Sequence, residues 1–210
     1  DFILDENKKK NLYKCGADKV YLIKENFSYY DKYYFPDLIF ETVKKINPSI
    51  VLFNSTTEGR EIAPKTASKL NTGLTADCTG LEIIKKEDGF KLISTRPTFG
   101  GKLMASILSK TTPDMSTVRV NTFKKKEFNF EGEIEVIELN FEVNQNSSIK
   151  ILEFIEDKKE FSTLENAKII VSGGMGLKNK EGFEKLETFA KLINASIGAT
   201  RKAVDKGLID

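Results

Sequence analysis

Ile50-Val51-Leu52-Phe53 runs into Asn54-Ser55-Thr56-Thr57-Glu58-Gly59, and Ile62, Thr66 and Leu70 then follow at helical spacing. Four consecutive apolar, β-prone residues read as a strand buried on both faces, and the three-to-four-residue spacing reads as one face of a helix. Pro64 is placed near the first turn of that helix, where proline is tolerated, and Asn71 to Gly73 stops it. The same alternation holds upstream. Val20-Tyr21-Leu22-Ile23 is a buried strand, Leu38, Ile39, Val43 and Ile46 form a helical face after Pro36, and Asn47-Pro48 closes it. Two strand–helix units in tandem imply right-handed βαβ crossovers and a parallel sheet.

Further out the pattern changes. Leu81 to Ile84, a turn over Lys85 to Gly89, and Phe90 to Thr95 predict a β-hairpin with Asp88-Gly89 supplying the tight turn. Strands are also expected at Lys102–Leu108, Ser116–Val120, Glu133–Asn140 and Ile149–Glu156. The fold class is therefore α/β, with a Rossmann-like, mixed but mainly parallel sheet. Residues 1–19 read as a polar helical stretch ending at Cys15-Gly16-Ala17-Asp18. An α/β domain seldom opens on such a helix, so the start of the domain is expected to be incomplete.

Near Leu164 the pattern resets. Ala167 to Val171 is a strand, Ser172-Gly173-Gly174-Met175-Gly176-Leu177 a loop, and Phe183, Leu186, Ala190 and Ile193 one face of a helix. Asn194 to Arg201 then reads as a strand feeding another helix. The expected domains are residues 1–165 and the opening βαβ part of a second α/β domain at 166–210. The latter is near the ~40-residue limit for unaided folding and is expected to be cut short.

Composition narrows the chemistry. The 210 residues carry 33 Lys+Arg against 31 Asp+Glu, a net charge of +2 that gives no field to attract nucleic acid. The runs Lys8-Lys9-Lys10 and Lys124-Lys125-Lys126 lie beside acids and read as solvated surface. No apolar run approaches the ~20 residues that span a bilayer. Two cysteines, Cys15 and Cys78, make no disulfide framework and fit a reducing, cytoplasmic setting. The chain has no histidine, which removes Ser-His-Asp and Cys-His catalysis and histidine metal sites. Any reaction must use carboxylates, Lys, Arg, Tyr, backbone dipoles or a borrowed cofactor.

Four segments combine glycine, hydroxyl and charge. Gly173 to Gly176 joins a strand to a helix and offers backbone N–H groups to an anionic oxygen, although G-G-x-G is not the dinucleotide G-x-G-x-x-G pattern and a plain tight turn reads the same way. Thr200-Arg201 puts a hydroxyl and a permanent cation at the end of a parallel strand, where open α/β sheets bind ligands; helix capping by Thr200 and an Arg201–Asp205 pair would explain the same residues. Thr72 to Gly80 holds Asp77 and Cys78 among small residues, and Cys78 without a histidine reads as an inert thiol. Thr95 to Gly101 places Arg96 before Pro97. Arg96 and Arg119 read either as interface ion pairs or as surface cations.

Taken in order, Gly59 to Pro64, Thr72 to Gly80, Thr95 to Gly101, Met115 to Arg119, Val171 to Leu177 and Gly198 to Asp205 closely resemble the α subunit of electron transfer flavoproteins, from about Gly16 onward. The resemblance implies an electron carrier, not a self-contained enzyme, that works as an α/β heterodimer with FAD. It would take electrons from flavin-dependent dehydrogenases and pass them to an acceptor oxidoreductase. The first domain would lack flavin and pack on the β subunit; the second would hold FAD. By resemblance, Thr200 and Arg201 match the family's Ser/Thr-Arg pair beside the isoalloxazine ring, where a fixed cation favours the anionic reduced flavin. Gly174, Met175 and Gly176 match its G-G-R-G loop, with Met175 in place of the arginine. The family's V-G-Q-T-G and S-G-A-x-Q-H segments would lie beyond Asp210, so these 210 residues alone are expected to hold FAD weakly or not at all. The alternative is a non-redox nucleotide-binding or heterodimer scaffold module of the same fold, with Asn54 to Gly59 as its phosphate loop.

Overall fold

The computed structural model describes residues 4–23, 33–87, 89–128, 132–140, 152–153, 164 and 167–209, in two compact units spanning Asp1–Leu152 and Glu153–Asp210. The first unit opens with helix α1 (Glu6–Lys14), capped by Asp5, whose carboxylate accepts from the Lys8 N–H at 2.7 Å. Strand β1 (Lys19–Ile23) pairs in parallel with β8 (Glu135–Leu139). Helix α2 (Phe35–Ile46) has Pro36 in its first turn, where no N–H is needed, and ends at Asn47 in the left-handed conformation.

Strand β2 (Ile50–Asn54), β7 (Asp114–Val118) and β3 (Leu74–Cys78) form a parallel sheet in the order β2-β7-β3. Helix α3 (Thr57–Lys69) crosses from β2 to β3, as the βαβ reading requires. Its start corrects that reading. Thr56 is the N-cap, with Oγ1 accepting from Gly59 N–H at 3.1 Å, so Thr57 to Gly59 belong to the helix and not to a loop. Pro64 consequently lies inside the helix, not near its first turn. Gly59 is required by contact: a Cβ there would overlap the Asn54 carbonyl.

The hairpin expectation holds and grows to three antiparallel strands, β4 (Gly80–Lys86), β5 (Gly89–Thr98) and β6 (Leu103–Leu108). Lys86 pairs with Gly89, which takes φ 114° and opens β5, so the turn lies between them; Asp88, half of the expected turn pair, lies outside the described residues. The two sheets are joined by buried polar contacts. Asp114 accepts from the Leu92 N–H at 2.9 Å and from Lys91 Nζ at 3.4 Å, and Ser94 meets Ser116 at 2.6 Å. The expected Ser116–Val120 strand thus begins two residues earlier, because a carboxylate with such donors can be buried. Strand β3 was not among the expected strands. The expected strand at Ile149–Glu156 falls almost wholly outside the described residues.

In the second unit, β9 (Ile170–Gly173) and β10 (Ser196–Ala199) pair in parallel, with α4 (Lys180–Leu192) between them and α5 (Arg201–Asp205) after. Phe183 and Ala190 of α4 are buried, on the face expected from their spacing. Asn179 caps α4 by accepting from the Gly182 N–H at 3.0 Å.

Candidate functional site

Gly173 and Ala199 are register partners at the carboxyl ends of β9 and β10, so the loops that follow leave the sheet side by side. The Thr200 N–H donates to the Gly173 carbonyl at 3.0 Å, extending the pairing one step past the strands. Gly198 and Gly173 make close packing possible here. A Cβ on Gly198 would come within 2.6 Å of Ser172 Oγ, and one on Gly173 would run into Leu177, Leu186 and Phe183.

The five expected binding residues gather around this end. A Cβ on Gly174 would sit 3.2 Å from both Cγ2 and Oγ1 of Thr200, so the bare glycine leaves that hydroxyl room. Met175 and Gly176 form a short 3-10 turn with Leu177, with Gly176 facing open space. Thr200 occupies the N-cap of α5, but its hydroxyl makes no capping bond; the capping explanation of this residue is corrected on that point. Arg201 is 93% exposed and reaches Asp205 at 3.6 Å, a solvated i,i+4 pair of the kind that contributes little. An uncommitted hydroxyl, a guanidinium tied only at the surface and a glycine turn at strand ends fit the polar edge of a ring cofactor and its anionic oxygens.

A second cluster lies within the first unit, at the carboxyl ends of β2, β3 and β7. Between Thr75 and Cys78 the pairing with β7 slips, and Asp77 takes φ 61°. The bulge turns Asp77 to the sheet end, where its N–H donates to Thr117 Oγ1 at 2.8 Å. Arg119 clasps its carboxylate, Nε to Oδ1 at 3.0 Å and the second nitrogen to Oδ2 at 2.5 Å. Arg60 stands 3.8 Å from Oδ1 and donates to Ser55 Oγ at 3.0 Å. The Arg119 hydrogen bonds, aided by the charges of Arg119, Arg60 and Arg96, hold the Asp77 carboxyl below its ordinary pKa. Cys78 is buried, and burial pushes its thiol up, which agrees with the inert-thiol reading.

Arg96 is the remaining cation there. Its Nε is buried and has no protein acceptor among the described residues. Arg96 and Arg119 line a groove of ≈ 530 Å³ with Pro97, Thr98, Phe99, Gly100 and Gly101. Of the two readings open for the arginines, Arg119 is an ion pair and Arg96 is neither paired nor simply surface. Asp77 as the hub was not expected, because a bulge leaves no signature in hydrophobic spacing. Among the described residues no three carboxylates or thiols are placed to hold a metal.

Residues 4–143 match the family model described as the electron transfer flavoprotein domain, and residues 163–210 match that of the electron transfer flavoprotein FAD-binding domain. The chain is 40% identical over 207 residues to an electron transfer flavoprotein subunit alpha from Thermoanaerobacterium thermosaccharolyticum, covering 97% of this chain and 62% of that protein. It is 38% identical to Protein FixB of Clostridium saccharobutylicum, over 96% of this chain and 60% of the relative. A third relative, at 33% identity over 97% of this chain and 48% of its own length, is the lactate dehydrogenase (NAD(+),ferredoxin) subunit LctC of Acetobacterium woodii. The chain thus spans roughly 60% of the length of the first two relatives.

Proposed function

The chain belongs to the electron transfer flavoprotein α-subunit family, and on that premise we propose that it serves as the α subunit of a cytoplasmic electron carrier. In this reading residues 1–165 form the flavin-free domain that docks a β subunit, and residues 166–210 begin the FAD-binding domain. Bound FAD supplies the redox centre that accepts electrons from flavin-dependent dehydrogenases and yields them to an acceptor oxidoreductase. The chain's own part is to bind, orient and bias that group. Thr200 offers a hydroxyl, Gly174 and Gly176 clear the approach, Met175 lines it, and Arg201 contributes a guanidinium charge.

The observation that carries this reading is the convergence of Gly174 and Thr200 at the ends of β9 and β10, where the Thr200 hydroxyl is left free of capping. The test uses the complete α subunit with its β partner: visible absorption after adding FAD, then potentiometry. Arg201→Met is expected to lower the midpoint potential by about 20–60 mV, the two-electron equivalent of ~1–3 kcal/mol of lost charge stabilisation. A complete subunit that never takes up flavin, or a potential that ignores Arg201, would overturn the proposal. Heterodimer formation has support of its own. Strand β6 carries Leu103, Met104, Ile107 and Leu108 exposed, and among the described residues it pairs with β5 alone. A bare apolar edge of this kind suits a protein partner.

A further inference from the structure

We propose that the groove between Arg96 and Arg119 is a binding site for a small phosphate-bearing ligand, separate from the flavin site and wholly within the first unit. Two guanidinium groups, from Arg60 and Arg119, stand against the single carboxylate of Asp77, and Arg96 lines the groove beside Arg119 with no carboxylate of its own among the described residues. Asp77 is consumed by Arg119, which holds both of its oxygens. The excess positive charge falls on the groove side, on Arg96. Its Nε is buried with no acceptor among the described residues, so Arg96 presents the rest of its guanidinium to the groove it lines. A doubly charged oxyanion in the groove would take the Nη donors of Arg96 together with the Arg119 donors left over from Asp77, and the planar donor fork of arginine is shaped for phosphate.

Position and shape agree with charge. The cluster sits beyond the carboxyl ends of three parallel strands, where open α/β sheets place ligands. The groove, at ≈ 530 Å³, lies within the range of about 300–1,000 Å³ common for small-molecule sites. Its far wall is a backbone turn in which Phe99, Gly100 and Gly101 all take positive φ, at 49°, 67° and 85°. A Cβ on Gly100 or Gly101 would meet nothing within 4 Å, so the two glycines serve the turn's shape and keep the wall low. Phe99, 78% exposed at the rim, offers a ring face to an aromatic substituent on the phosphate.

The 210-residue chain is titrated calorimetrically with inorganic phosphate and, separately, with phenyl phosphate. The expected result is saturable binding of both, weakened about tenfold or more by Arg96→Met and recovered in part by Arg96→Lys. Lys102→Met, beside the groove but outside its wall, should leave affinity within about twofold. Phe99→Ser should weaken phenyl phosphate and spare inorganic phosphate. Each variant's melting curve shows whether it folds, and Arg96→Lys keeps the test valid should Arg96→Met fail to fold. No saturable binding to the wild-type chain, or equal loss with Lys102→Met, overturns the proposal. So does a result in which only capture of the β subunit depends on Arg96, since the groove would then receive a protein carboxylate. None of these outcomes bears on flavin binding at Thr200 and Arg201.

Discussion

Asp77 shows how much one residue organises at the end of a sheet. A left-handed φ of 61° disfavours most side chains but is tolerated by Asp and Asn. Only a carboxylate, however, can take both bonds from Arg119. Its pKa is depressed by those bonds, so its contribution to stability is complete above the ordinary carboxyl pKa of 3.8 and is lost as the pH falls through the lower folded value. Asp77→Asn keeps the backbone conformation and removes the charge. It should cost about 1 kcal/mol at neutral pH, a figure discounted for the solvent that reaches the pair. The gap between the two proteins should close as the pH drops below the carboxyl range. Melting curves across acid pH measure this; a gap that stays constant down to the lowest pH would mean that the Asp77 charge contributes nothing.

At the scale of elements, two junctions hold the first unit together, and each makes a prediction. Asp114 is 2% exposed and fastens β7 to β5 through the Leu92 N–H and Lys91. Asp114→Ala leaves that amide unpaired and takes the carboxylate from Lys91, which keeps only Thr112 Oγ1 among the described residues, at a cost of about 2–4 kcal/mol. Denaturant melts should show a lower midpoint, and Asp114→Asn, which keeps one acceptor, should lose clearly less. At the β2–α3 junction, Gly59→Ala forces a methyl group into the Asn54 carbonyl and should cost about 1–3 kcal/mol, lowering Tm by roughly 3–10 °C for a unit of this size. An unchanged Tm would show that the junction relaxes freely.

These junctions also mark where sequence reading stops. Helices α2 and α4 were legible because their apolar residues recur at helical spacing, strands β1 and β2 because each is a short unbroken apolar run, although Leu52 of β2 is half exposed and not buried as expected, and the Asn47 stop because asparagine accepts a left-handed φ. The α3 start was not: Thr56 and Thr57 are equally plausible caps until the Thr56–Gly59 bond is seen. Nor was β3, whose Leu74-Thr75-Ala76-Asp77-Cys78 has no apolar run and is held by β7 and a bulge. The candidate site in the second unit could be assembled from Gly174, Met175, Gly176, Thr200 and Arg201 because they flank two recognisable strands. The arginine cluster could not, since Arg60, Asp77, Arg96 and Arg119 meet only through tertiary folding.

For the molecule as a whole, the β4-β5-β6 sheet has the surface of a protein that associates. Leu103 and Met104 are 59% and 57% exposed, and Ile107 and Leu108 are 37% and 38% exposed, although they occupy a strand whose alternation should hide every second side chain. The register pairs Met104 with Pro97 and Ile107 with Ser94, which puts the two on opposite faces of the sheet. Both faces of the β6 edge are therefore apolar, and an apolar edge that pairs only with β5 among the described residues invites aggregation in a lone subunit. A partner that covers both faces removes that hazard and gains the burial energy. Met104→Glu together with Ile107→Glu should weaken capture of the β subunit by about a hundredfold, as expected where well-buried contacts worth ~2.7 kcal/mol are lost. The isolated subunit should melt within about 0.5 kcal/mol of the wild type, because exposed positions carry little folding energy. Lys86→Glu, on β4 at the opposite side of the same sheet, controls for the added negative charge. If the double variant binds the β subunit as the wild type does, the β6 edge is not the docking surface of the proposed heterodimer.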